Sequence, residues 1–108
     1  MYFFHPQERD VKEIFPAIRA RTFWGEKVML ALVDLDAGSF LPNHSHPHEQ
    51  GGIVIKGELE FTIHGETSTL HPGDVYMIPG NIEHSVRVGE HDAQVLDIFS
   101  PVREDLKY

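Results

Sequence analysis

The stretch that decides the fold runs from Gly38 to Gly57, GSFLPNHSHPHEQGGIVIKG. It sets His44, His46, His48 and Gln50 close together and then enters an apolar, β-branched run, Ile53-Val54-Ile55. In an extended chain alternate side chains share a face. His44, His46 and Gln50 therefore point the same way and Glu49 the other, unless a turn at Pro47 breaks the parity. Two imidazoles and a neutral amide oxygen, with positions left open for water or substrate, suit one divalent ion: Ni, Zn, Fe, Mn or Co. A glutamine ligand leaves the ion its full double charge. That makes a weaker trap than a carboxylate site but a stronger Lewis acid. A fourth ligand, His84, is expected from a later strand. His48 is left between two parts, an orienting group for a ligand or a bystander. A lone histidine is more often a surface group or a satisfied core group. That plain reading is kept for His5, His64, His71 and His91, which sit at turns or segment ends.

Composition narrows the chemistry further. The chain has 108 residues, the length of one domain, and a core of useful size needs no staples at that length. It has no cysteine, which excludes disulfides, thiolate-held zinc, iron–sulfur clusters and cysteine nucleophiles. Against that, eight histidines make imidazole the obvious metal ligand. The 9 Lys and Arg face 17 Asp and Glu, a net charge of −8, so there is no electrostatic footprint for nucleic acid or anionic lipid. The N-terminal MYFFHPQERD is too short and too quickly charged for a signal peptide. No apolar run approaches the ~20 residues that span a bilayer. A cytoplasmic protein with no membrane partner is expected.

Outward from the histidine stretch, short strands recur between Gly or Pro turns. Tyr2–His5 is expected as a short strand and Pro6 to Glu13 as a polar turn. Ala17 to Trp24 alternates, with Arg19 and Arg21 on one face, one of them a candidate to enter a cavity. Val28 to Leu35, VMLALVDL, reads as a strand buried on both faces. Leu59 to His64, Thr67 to His71, Val75 to Ile78, His84 to Val88 and Ala93 to Phe99 follow as strands. REDLKY closes the chain as a polar tail, and no helix of useful length is expected. Many short strands with this punctuation argue for an all-β antiparallel sandwich or barrel.

These same residues carry a family resemblance. Gly38-x5-His44-x-His46-x3-Gln50-x6-Gly57 resembles the first cupin motif, with Gln where Glu is more usual. Gly73-Asp74, Pro79-Gly80 and His84 resemble the second, with Val88 in place of its frequent Asn. The resemblance implies a single-domain cupin, a double-stranded β-helix or jelly-roll barrel, over residues 1–108 with the barrel core roughly at 28–100. Cupins of this size are usually homodimers. The apolar outer face of VMLALVDL fits that, and the strand at 2–5 is expected to be exchanged between subunits.

Fold alone does not give a reaction. The C-terminal LDIFSPVREDLKY resembles the small cupins of pectin and alginate breakdown, which convert 4,5-unsaturated uronates to linear ketonised forms. Their spacing of Asp, Phe and Arg is met by Asp97, Phe99 and Arg103. The resemblance implies a metal-dependent isomerase acting on a sugar acid. Asp97 would move the proton, Arg103 grip the substrate carboxylate with its planar fork, and Phe99 pack on the ring. Each has a plain alternative. Asp97 can be solvated or paired to Arg103, Phe99 can be core, and Arg103 can pair with Glu104 or Asp105. Two other functions stay open: a different metal-cupin enzyme, such as an oxygenase or sugar isomerase, and a non-catalytic sugar-binding or sensing cupin.

Overall fold

The computed structural model describes residues 2–108. Ten strands form two antiparallel sheets. They are β1 (Lys12–Phe15), β2 (Ile18–Trp24), β3 (Met29–Leu35), β4 (Phe40–His44), β5 (Glu49–Lys56), β6 (Leu59–Ile63), β7 (Glu66–Leu70), β8 (Val75–Ile78), β9 (His84–Val88) and β10 (Ala93–Ser100). One sheet has the order β1-β2-β3-β10-β5-β8 and the other β4-β9-β6-β7. The only helical pieces among the described residues are single 3₁₀ turns at Pro6–Glu8 and Glu104–Leu106. This is the jelly-roll arrangement expected from the motifs.

Period-two alternation builds the interior. In β2 the inward set is Ile18, Ala20 and Thr22; in β3 it is Met29, Ala31, Val33 and Leu35. Leu59 and Phe61 of β6, and Val86 and Val88 of β9, close over them from the second sheet. Glycine is required at the tight turn before β6. Gly57 has φ +82, and a Cβ there would come 2.5 Å from Asp92 O and 2.8 Å from Ala93 Cα. A β-carbon is therefore excluded both by the left-handed backbone and by the neighbouring chain.

Four expectations are corrected. Tyr2–His5 forms no strand within this chain. The supposed polar turn ends in β1, an edge strand that starts at Lys12, runs past it to Phe15 and pairs with β2. VMLALVDL is buried on one face only: Leu30 is 39% exposed on the outside. The tail is not simply solvated, because Val102 and Leu106 are buried and Thr22 Oγ1 donates to Leu106 O at 2.8 Å.

Candidate metal centre

Two strand ends and a loop bring the histidines together. β4 ends at His44, which pairs directly opposite His84 at the start of β9. Between β4 and β5 the chain leaves extended geometry, so strand parity is not what aligns His44 with His46. A short loop carries His46 inward, and its carbonyl accepts from Asn81 N at 2.7 Å, tying the loop to the turn before β9. Gln50, inside β5, points into the barrel and is 6% exposed. One potential ligand atom from each of His44, His46 and His84 lies within 4.8 Å of the others. Ligands about 2 Å from a common ion can close such a spread.

The far nitrogen of each ring fixes which atom faces the centre. His44 Nδ1 lies 2.8 Å from Pro42 O, His46 Nδ1 3.0 Å from His48 O, and His84 Nδ1 2.9 Å from Ile82 O. A carbonyl only accepts, so each Nδ1 carries the proton and each Nε2 turns a lone pair inward. His84 is 2% exposed, and its Nε2 has no hydrogen-bond partner. His46 Nε2 meets Gln50 Oε1 at 3.0 Å. With the Gln50 amide donating to Asp97, its oxygen is the atom left facing His46. Two acceptors thus face each other beside a third that has no partner, an arrangement that a cation among them satisfies. The residues present fit a divalent ion.

His48 takes part through its carbonyl, which orients His46, rather than through its ring. Burial lowers the pKa of His46, with Arg103 adding to the effect, and lowers that of His84 to about 4. Both rings are therefore neutral and available as ligands at pH 7.

Beside the histidines lies a carboxyl group. Asp97 of β10 is 8% exposed and faces inward, as its alternation with Phe99 requires. Burial raises its pKa to about 6; hydrogen bonds from Tyr76 and Gln50 and the charge of Arg103 act the other way. Tyr76 Oη donates to Asp97 Oδ1 at 2.5 Å. Sequence reasoning missed Tyr76, which looks like ordinary strand core until β8 is placed beside β5. Phe99 is buried, with its ring centroid 5.7 Å from that of His46 and 5.0 Å from Arg103 Cζ. Arg103 donates to Asp105 through Nη2 at 2.8 Å and Nε at 3.4 Å. Of the alternatives for Arg103, the Asp105 pair is therefore formed, while its head also stands over Phe99.

Arg19 and Arg21 do not enter the barrel. They lie on the outer face and pair across strands with Asp36 at 2.8 Å and Asp34 at 3.2 Å. Two openings adjoin the centre. A cavity of about 50 Å³, lined by His44, Gln50, Tyr76, His84 and Asp97 among apolar side chains, has room for an ion and a water. An open groove on the other side of His44 is lined by Lys12, Phe15, Leu41, Asn43 and Arg103.

Comparison with known proteins agrees with this geometry. Residues 31–99 match the family described as "Cupin domain". The structure of KdgF from a Halomonas species superposes with a TM-score of 0.92 at 32% identity, covering 99% of each chain. The polyketide synthase CurC of Streptomyces cyaneus is 28% identical over 90% of this chain and 71% of its own length. Quercetin 2,3-dioxygenase of Bacillus subtilis is 33% identical over 67% of this chain but only 22% of its own length.

Proposed function

The chain belongs to the cupin family, and from that premise we propose that it is a metal-dependent isomerase opening 4,5-unsaturated uronates to linear keto acids. The observation that carries the reading is the inward carboxyl of Asp97 beside the cluster of His44, His46 and His84. The C-terminal resemblance to uronate-opening cupins and the full-length likeness to KdgF support it. His44, His46, Gln50 and His84 would hold the ion. When bound, the ion supplies Lewis acidity that polarises a substrate oxygen.

The chain's own residues do the rest. The inner cavity is too small for a sugar ring, so the sugar lies in the groove against His44 with its reacting end inward. Arg103 pairs with its carboxylate, and Phe99, beneath the guanidinium, holds that group in place. Asp97 takes the proton from the anomeric hydroxyl. The ring C–O bond then opens to an aldehyde and an enolate, and Asp97 delivers the same proton to the enolate carbon to leave a ketone. Composition is unchanged, so no co-reactant is needed. A carboxyl with a pKa of about 6 suits a proton carrier near neutral pH.

The working form is proposed to be a homodimer. On the outer face of the larger sheet, Leu30, Ile98, Gly51 and Met77 make one cross-strand row, and Leu32, Leu96, Ile53 and Val75 the next. Val75 is 67% and Met77 65% exposed. A sheet face this apolar fits a second copy of itself.

The test is to incubate metal-loaded protein with unsaturated galacturonate and follow the loss of enol-type absorbance. Acceleration over buffer is expected. None, with the ion confirmed bound, rejects this substrate. Fe(II)-dependent oxygen uptake would favour the oxygenase alternative, and uronate binding without turnover would favour the sugar-binding one.

A further inference from the structure

A single inward row crosses the larger sheet: Thr22, Ala31, Asp97, Gly52, Tyr76. Each member pairs with the next, and four of the five carry side chains into the barrel. The gap is Gly52, which sits between the aspartate and the tyrosine. A Cβ built on Gly52 would overlap the Tyr76 ring and its hydroxyl. The tyrosine therefore lies across β5 in the space that the glycine leaves free and reaches a strand it does not pair with. Its hydroxyl meets Asp97 Oδ1 at 2.5 Å. Phe61 packs on its ring from the opposite sheet at 4.5 Å between centroids, so the ring is held from both sides. The Gln50 amide also donates to Asp97, and its oxygen stands 3.0 Å from His46 Nε2. The groups form a chain: Tyr76 hydroxyl, Asp97 carboxyl, Gln50 amide, histidine cluster.

We infer that Tyr76 is a positioning residue: through the gap at Gly52 its hydroxyl aims the Asp97 carboxyl, and through Asp97 the Gln50 oxygen, at the histidine centre. The inference rests on reading that centre as a metal site and Asp97 as the proton carrier. It assigns the tyrosine a directional role that burial alone does not give it. A phenol constrained by packing fixes the carboxyl's rotation about χ2 far better than water would, and groups that hold metal ligands tune affinity as well as geometry. It also accounts for glycine at position 52, where the backbone has no unusual φ to require one.

The experiment is a double-mutant cycle of Tyr76→Phe and Asp97→Asn, read in two ways. The first is affinity for Ni(II) or Zn(II), by competition with a chromophoric chelator. The second is kcat and KM on unsaturated galacturonate. Tyr76→Phe keeps the ring and is expected to weaken the metal about 10-fold. It should lower kcat by about 10- to 100-fold with KM within about twofold. In the Asp97→Asn background the same change should alter each quantity by less than about twofold, because the tyrosine acts only through the aspartate. A part in packing alone predicts instead that the two changes add.

Gly52→Ala gives an independent arm. By displacing the ring it should reproduce the metal-affinity loss of Tyr76→Phe in a protein that still folds. Additive losses in the cycle, or a Tyr76→Phe protein equal to wild type in metal affinity, overturn the inference. A wild type that binds metal and shows the coupled affinity loss but does not turn over the uronate removes the proposed substrate and leaves the positioning role standing. A wild type that takes up no divalent ion overturns both.

Discussion

Asp97 is a carboxyl group set in an apolar barrel wall, and its neighbours decide when it carries charge. Its folded pKa of about 6 stands above the ordinary aspartate value. A raised carboxyl adds stability below its unfolded value and loses that stability as pH rises through its folded value. In chelator-treated protein, Asp97→Asn should therefore raise stability by on the order of 2 kcal/mol at pH 7 and by almost nothing near pH 4. Thermal melts across that range check it, and a loss of stability at pH 7 would contradict it. His84 works in the opposite sense. Its pKa is lowered to about 4, so its contribution is present above the ordinary histidine value and is lost as pH falls through about 4. His84→Gln should flatten the acid side of the same series of melts. Arg103 offers a third residue-level outcome. Its head is largely buried, with the side chain 19% exposed, while Asp105 on its fork is 62% exposed and displaceable. In the proposed reaction a substrate carboxylate would replace that aspartate. Asp105→Asn should lower KM for the uronate by about two- to fivefold with kcat unchanged, the range of an exposed ion pair. An unchanged or raised KM counts against the carboxylate grip. Asp97 was legible in the sequence because nothing else in Val95–Phe99 is charged. Tyr76 was not, because its meaning depends on Gly52, a neighbour only after β5 and β8 pair.

Among the elements, the strands that failed to announce themselves are two of the four edge strands. β3, β5, β6 and β10 read directly from alternation or β-branched runs, since each lies inside a sheet and has a face to bury. β1 and β4 were passed over. Both are edge strands, one starting with charged residues and the other holding Pro42 and Asn43, residues that an edge tolerates. The aromatic Tyr2–Phe4 misled in the other direction: β-propensity reflects a packing surface, and the first element of this chain's sheet is β1 instead. His44, His46 and Gln50 do lie together, but not by strand parity, because His46 arrives on a loop after β4 has ended. At the turn between β5 and β6, Gly57→Ala combines a left-handed backbone with a collision against Asp92 O. It should cost at least about 2 kcal/mol in denaturant unfolding. A loss below about half that would mean the turn relaxes freely.

At the scale of the whole molecule, the two faces of the larger sheet divide the work. The inner face carries Gln50, Asp97, Phe99 and Tyr76 toward the histidines. The outer face carries Leu30, flanked by the N-terminal aromatics, and the exposed Ile53, Val75, Met77 and Ile98. VMLALVDL was read as buried on both faces, and a second subunit is what would make that reading true. Ile98→Glu places a charge in the middle of the outer face, far from the barrel interior. Sedimentation should show wild type as a dimer at micromolar concentration and the variant as a folded monomer. A monomeric wild type would contradict the proposed pairing. The barrel itself was legible from two motifs and the spacing of turns. The proposed reaction was less so, because it would draw on side chains from β5, β8, β10 and the tail that meet only in the folded chain. The most direct measurement is to strip the protein with a chelator, add back one divalent ion in steps, and record uronate opening at each step. Activity should be absent at the start, rise in proportion, and level off at about one ion per chain. Equal turnover by the stripped protein, or none once the ion is bound, would contradict a metal-dependent isomerase.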